Sequence, residues 1–248
     1  MTKTVGTALI TGSLGGIGQA LCHAFREAGY RVIGSDRGAG KPDTDVFVQF
    51  DICRVAREDE YRAQILKRLR TTIGPEGLKV LINNAAVQRI NPTEKITVEE
   101  LHETLDTNLI GPFLLVQGLL PELERALGSV INIGSVHATN TKPGFVSYAT
   151  SKAALVGLTR SLAVDLGPRA RVNAINPAAT ATPMLMAGFK GKEEAFRHLE
   201  AMHPLERIAE PAEIADVAVF LASEQASFMT GAALAVDGGI GGRLHDPA

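Results

Sequence analysis

Cysteine is scarce: the 248 residues contain two, Cys22 and Cys53. Two thiols cannot make a disulfide framework or a cysteine-rich metal site, and free, packed thiols suit a reducing compartment. A basic excess is also missing. Lysine and arginine number 25 against 27 aspartates and glutamates, a formal net charge of -2. No cation surplus is available to neutralise a phosphate backbone, so nucleic-acid binding is not expected. No unbroken apolar run reaches the length of about eighteen residues that a membrane helix needs. The start, Met1-Thr2-Lys3-Thr4, leads into a short apolar run containing Gly6, without the longer apolar stretch of a secretion signal. A cytoplasmic protein with no membrane partner is the expectation. There is no solenoid repeat and no low-complexity linker. His23, His102, His198 and His245 show no convergence with carboxylates or cysteines at metal-ligand spacing, so no catalytic metal is expected.

What is present is alternation. Short apolar runs occur at Thr7–Ile10, Arg31–Gly34, Val46–Val48, Val80–Ile82, Ser129–Ile133, Val172–Ile175 and Ala233–Val236. Between them lie longer amphipathic stretches, among them Ile17–Ala28, Arg57–Thr72, Val98–Leu127 and Tyr148–Leu166; helical segments around Glu193–Ala201 and Pro211–Ala222 precede the last run. Fully apolar short runs suit strands buried on both faces, and strands alternating with helices imply βαβ units. The predicted fold is α/β: a single-domain Rossmann-type doubly wound parallel sheet of about seven strands with helices on both faces. One dinucleotide-binding and catalytic domain, 1–248, accounts for the chain.

The first run ends in Thr11-Gly12-Ser13-Leu14-Gly15-Gly16-Ile17-Gly18. Gly12 permits a tight turn off the strand, Gly16 lets backbone approach a pyrophosphate, and Gly18 lets the helix pack closely on the sheet. The helix start then offers free N–H groups to phosphate. Asp36 closes the second run, 18 residues beyond Gly18. A carboxylate there can accept both hydroxyls of an adenosine ribose and would repel a 2′-phosphate. With no Lys or Arg between Thr11 and Gly18, NAD is favoured over NADP; the adjacent Arg37 argues the other way.

Tyr148 and Lys152 are four residues apart, on one face of a predicted helix. A phenol is a poor base at neutral pH, and a neighbouring ammonium is expected to lower its pKa. Lys152 can also reach a ribose hydroxyl. Ser135 follows the run Val130–Gly134, at a strand C-terminus, where open parallel sheets carry their ligand crevice. Its hydroxyl can hold a substrate oxygen near Tyr148.

These residues, with Asp51, Asn83-Asn84-Ala85-Ala86, Asn108, Asn176-Pro177, Thr182, Thr230-Gly231 and Asp237-Gly238-Gly239 in order, resemble the short-chain dehydrogenase/reductase family along nearly the whole chain. The resemblance implies Tyr148 as general acid/base, Lys152 as its pKa-lowering partner, Ser135 as stabiliser of the reacting oxygen, and Asn108 as holder of a relay water. It implies Asp51 and Ile52 at the adenine, Asn83 and Ala85 along the cofactor cleft, and Pro177 to Thr182 at the nicotinamide. It further implies a homotetramer that pairs the helices around Asn108 and after Tyr148, where Ala149, Ala153, Ala154 and Gly157 would allow close packing. Three positions depart from the family's habit: Ala86 and Ala178 stand where glycine is usual, and Gly134 where serine is frequent.

For substrate, the loops at 87–89 and 136–138 and the stretch 184–210 are candidates, the last as a substrate-binding lid or a plain helix pair. Gln88, Arg89, His137 and His203 could offer polar groups, with His137, two residues past Ser135, best placed. A small polar alcohol or ketone, such as an acid or sugar derivative, is expected. The alternatives are an NADPH-dependent carbonyl reductase and a catalytically silent nucleotide sensor of the same fold.

Overall fold

The computed structural model describes residues 5–244. The readings made for Met1–Thr4 and for His245 lie outside those residues. Seven parallel strands form one sheet in the order β3-β2-β1-β4-β5-β6-β7. They are β1 (Thr7–Thr11), β2 (Arg31–Ser35), β3 (Val46–Phe47), β4 (Val80–Asn83), β5 (Ser129–Ile133), β6 (Arg171–Pro177) and β7 (Ala233–Val236). Every residue of β1, β4 and β5 is buried, which is why these segments are apolar throughout rather than alternating.

Helices cover both faces. On one, α1 (Gly16–Glu27) and α10 (Pro211–Ala222) pack together over Ala8, Ile10, Val80, Ile82, Ile131, Ile133 and Ile175. On the other, α2 (Ile52–Arg57), α3 (Asp59–Ile73), α5 (Gly111–Gly118), α6 (Leu120–Ala126) and α7 (Val146–Leu166) enclose Leu9, Ile33, Leu81, Val130 and Val172. α4 (Val98–Leu105) precedes α5, and α8 (Pro183–Phe189) and α9 (Glu193–Met202) follow β6. The strand order reverses between β1 and β4, so the crevice expected of such a sheet opens at their C-terminal ends.

Two predicted helices differ in the structure. The stretch predicted from Arg57 to Thr72 is α3, which begins at Asp59; Arg57 closes α2, a short helix before it, and the two meet at Glu58, whose backbone is extended. The stretch Val98–Leu127 passes through a π turn, Asp106–Ile110, and breaks at Leu119. Pro121 has no N–H to continue the ladder, which accounts for the second break; the π turn places Thr107 and Asn108 in the interior. Among the described residues, no helix is long and apolar enough to cross a membrane.

Candidate active site

The glycine turn has the conformation its composition suggests. Gly12 has φ +66°, and a Cβ there would meet Ala85 Cα and Asn84 Nδ2 at 2.9 Å. A Cβ on Gly18 would collide with the Gly12 carbonyl oxygen, so Gly18 brings α1 against the turn. Gly15, the residue before α1, provides no side-chain cap. The first turn of α1 thus has no side-chain cap and no acidic residue, which leaves its N–H groups available to a phosphate-bearing nucleotide. Ile17 packs into the core on the α1 face.

Two residues that sequence reasoning left without a role, Thr11 and Asn84, fasten this turn to the end of β4. Thr11 Oγ1 accepts from the N–H groups of Asn84 and Ala85, both at 3.0 Å. Asn84 Nδ2 donates to the carbonyls of Thr11 and Gly12 at 2.9 and 3.1 Å. The repeated asparagine at 83–84 was the available signal. Asn83 turns inward instead: its Nδ2 donates to Asn132 Oδ1 at 2.8 Å, and Asn132 Nδ2 donates to Thr159 Oγ1 at 2.9 Å. Asn83 Oδ1 is buried without a partner, an acceptor suited to a cofactor donor.

Asp36 lies at the end of β2, its Oδ2 accepting from Leu14 N–H at 3.2 Å and its Oδ1 from Gly38 N–H at 3.0 Å. Each oxygen keeps a lone pair for a ribose hydroxyl. Asp51 caps α2 by accepting from Cys53 N–H at 2.7 Å, so one of its oxygens is committed to the helix. Ile52 is buried against Gly111. Thr182 caps α8, accepting from Leu185 N–H at 3.3 Å, and lies with Pro183 directly over Gly16, where a Cβ would meet both at 2.9 Å. Pro177 ends β6 beside Val236.

The catalytic candidates converge at the end of β5. Ser135 begins a single 3-10 turn, Val136–Ala138, and its Oγ accepts from His137 N–H at 3.1 Å. That bond leaves the hydroxyl proton free to be donated. Lys152 is 2% exposed, and its Nζ donates to the Ile133 carbonyl at 2.7 Å. Burial pushes its pKa down to about 8. Nζ lies 5.6 Å from the centre of the Tyr148 ring. The expected lowering of the Tyr148 pKa by Lys152 is not what this arrangement produces. Burial raises the phenol's pKa, opposed by the Ser135 hydroxyl; Lys152 is itself desolvated and its donor faces a backbone carbonyl.

Asn108 sits in the π turn with both amide N–H groups and one lone pair of its oxygen engaged. Its Oδ1 accepts from Val87 N–H at 2.9 Å, and its Nδ2 donates to the Val87 carbonyl at 2.9 Å and to Ser151 Oγ at 3.0 Å. Ser151 Oγ donates to the Tyr148 carbonyl at 2.7 Å. The side chain thus ties the loop after β4 to the first turns of α7.

His137 stacks on Phe145 with ring centres 4.3 Å apart and meets Tyr148 edge-on at 5.8 Å. Its Nδ1 is 3.1 Å from Thr141 Oγ1, and burial, followed by the Lys142 charge, lowers its pKa. Gln88 is exposed on the loop after β4. Two other polar candidates are committed elsewhere. Arg89 forms a two-nitrogen pair with Glu103, its closest contact 2.7 Å, and His203, 2% exposed, has its Nδ1 on the Leu199 carbonyl at 2.9 Å. Gly134 also gains a reason: a Cβ there would overlap Asn176 Oδ1. The frequent serine is excluded by the neighbouring strand's side chain.

A doubly wound sheet with an uncapped helix behind a glycine turn, and Ser, Tyr and Lys at the C-terminal end of β5, defines a nucleotide-dependent oxidoreductase site. The chain belongs to the short-chain dehydrogenase/reductase family. The family profile described as enoyl-(acyl carrier protein) reductase matches residues 12–241. The chain is 34% identical over 243 residues to an acetoacetyl-CoA reductase of Acinetobacter sp. (strain RA3849), covering 94% of this chain and 96% of that one. Ligand-free aldohexose dehydrogenase of Thermoplasma acidophilum superposes with a TM-score of 0.91 at 29% identity, over 99% of this chain and 97% of that one. Nucleotide complexes are found on both sides. A 4-hydroxyisoleucine dehydrogenase with NADH has a TM-score of 0.85 at 26% identity, over 96% and 100% of the two chains. A protein of Beutenbergia cavernae described as an NAD(P)-dependent gluconate 5-dehydrogenase, with NADP at low occupancy, has 0.86 at 30%, over 97% and 98%.

Proposed function

We propose that the protein interconverts a secondary alcohol and a ketone with NAD(H), Tyr148 serving as acid/base. The observation that carries this reading is the convergence of Ser135, Tyr148 and Lys152 at the C-terminal end of β5, on the same edge of the parallel sheet as the uncapped start of α1 after β1. When bound, the nicotinamide supplies the chemistry the chain lacks, accepting or giving a hydride at carbon. The residues handle the proton. Ser135, its oxygen already accepting from His137 N–H, donates its proton to the substrate oxygen and holds it. Tyr148 takes the alcohol proton in oxidation and returns it in reduction. Lys152 is held in place by the Ile133 carbonyl, and burial brings its pKa down to about 8, so it exchanges protons within the working range. Asn108 fixes the geometry between the β4 exit and α7 and, as the resemblance suggests, neighbours a relay water.

Asp36 favours NAD by accepting ribose hydroxyls at a carboxylate held open by two backbone N–H groups. His137 and Gln88 are the substrate-facing polar groups, and 184–210 serves as the lid, with Phe189 and Phe196 joining its helices at 5.6 Å between ring centres. The reading takes the assembly to be a homotetramer in the cytoplasm with a small polar alcohol or ketone as partner; light scattering at four times the chain mass checks the assembly. The chemistry is tested by assaying alcohols and sugar acids with NAD+ alongside Tyr148→Phe. The variant should lose about a thousandfold or more in turnover, in the range of a lost general acid/base and more, while calorimetry shows nucleotide binding within about threefold of wild type. Near-normal turnover would remove Tyr148 from the mechanism.

A further inference from the structure

Leu14 is the residue of the glycine turn to which the nucleotide reading gives no task. Its side chain crosses to the loop after β2. A Cβ on Gly40 would meet Leu14 Cδ2 at 2.6 Å and Cδ1 at 3.0 Å, and a Cβ on Gly38 would meet Leu14 Cδ1 at 3.4 Å. Neither glycine has a positive φ, so backbone conformation does not demand glycine at either position. Gly40 is bare because Leu14 occupies the space. The glycine turn, the end of β2 and the loop 38–40 therefore close on one another around Asp36, with a branched apolar side chain in the gap.

Charge by itself does not close this corner to a phosphate. Arg37 and Lys41 are both exposed on the same loop, and neither joins any ion pair among the described residues. Cations for a 2′-phosphate are thus at hand. What a phosphate beside Asp36 would lack is room: the Leu14 side chain fills the space against Gly38 and Gly40 and presents only methyl groups there, and burying phosphate oxygens against methyl groups is strongly unfavourable.

We infer that Leu14, seated on Gly38 and Gly40, is a second determinant of nucleotide choice: it seals the space beside Asp36 that the 2′-phosphate of NADP requires. This rests on the NAD reading above. It follows that removing the Asp36 charge does not by itself admit NADP. Isothermal titration of NAD+ and NADP+ into wild type, Asp36→Ala, Leu14→Ala and the double variant tests it, with thermal unfolding confirming that each is folded. Asp36→Ala should gain less than about threefold in NADP+ affinity, and the double variant about tenfold or more beyond that, roughly 1.4 kcal/mol. Leu14→Ala alone should keep NAD+ affinity within about threefold. If Leu14→Ala does not fold, Leu14→Val, too short to reach Gly40, carries the same expectation. An Asp36→Ala protein that binds NADP+ as tightly as the double variant overturns the role of Leu14 and leaves the NAD reading intact. A wild type that prefers NADP+ overturns both.

Discussion

Lys152→Met is the substitution whose effect can be worked furthest from the structure. The ammonium is buried, with Nζ on the Ile133 carbonyl at 2.7 Å, and burial lowers its pKa from 10.5 to about 8. An unfolded chain returns that group to its ordinary value. Between pH 8 and 10.5 the unfolded state holds a proton that the folded state has lost, so stability rises with pH across that window. Below it the penalty is fully present, and it amounts to about 3 kcal/mol. Methionine keeps most of the stem volume and removes the charge, at the loss of one hydrogen bond of about 1–2 kcal/mol. The variant should therefore be more stable than wild type by about 1–2 kcal/mol at pH 7 and less stable by about 1 kcal/mol near pH 10.5. Urea unfolding followed by circular dichroism at both pH values measures the change of sign. Cys22, raised to about 12 by burial, works in the opposite direction above pH 9, but both proteins contain it and the difference cancels. A variant less stable at pH 7 by an amount that does not vary with pH would refute the reasoning. Turnover should be lost in either case, so stability and activity part company at this residue.

Two further substitutions probe the walls of the site. Gly134→Ser should destabilise by about 1–3 kcal/mol through overlap with Asn176, and Asn176→Ala in the same chain should recover most of it; thermal unfolding of single and double variants checks the coupling. Thr159→Val leaves Asn132 Nδ2 without its 2.9 Å acceptor. It should cost about 1–3 kcal/mol in urea unfolding and weaken nucleotide binding by freeing the Asn83 amide, whereas unchanged nucleotide affinity would uncouple Asn83 from that chain of bonds.

The seven-stranded parallel sheet was legible because strands such as Val80–Asn83 and Ser129–Ile133 are buried on both faces and so appear as unbroken apolar runs. The glycine turn and the Tyr148–Lys152 pair were legible because their spacing serves local geometry, a strand-to-helix turn and one helical turn. Features that depend on distant neighbours were not. The π turn at Asp106–Ile110 keeps the helical pattern of its flanks. The pairing of Arg89 with Glu103 and the burial of His203 depend on tertiary contacts that spacing does not encode. The direction of the Tyr148 pKa was misjudged for a related reason: sequence shows that an ammonium is near, but not that both groups are desolvated. The Gly134 departure from family habit had its cause some forty residues on, in Asn176 of the neighbouring strand β6.

Helix α7 bears Tyr148 and Lys152, meets Asn108 through Ser151, and supplies Thr159 to the buried amides of Asn132 and Asn83. One rigid rod is therefore pinned both to the loop after β4 and to the strands that wall the nucleotide cleft. A slight rotation of that rod would move the Tyr148–Lys152 end and the buried amides of Asn132 and Asn83 together, so their errors of placement are correlated. The two halves of the site share one register, and sequence drift that preserves activity must respect both ends of the helix at once.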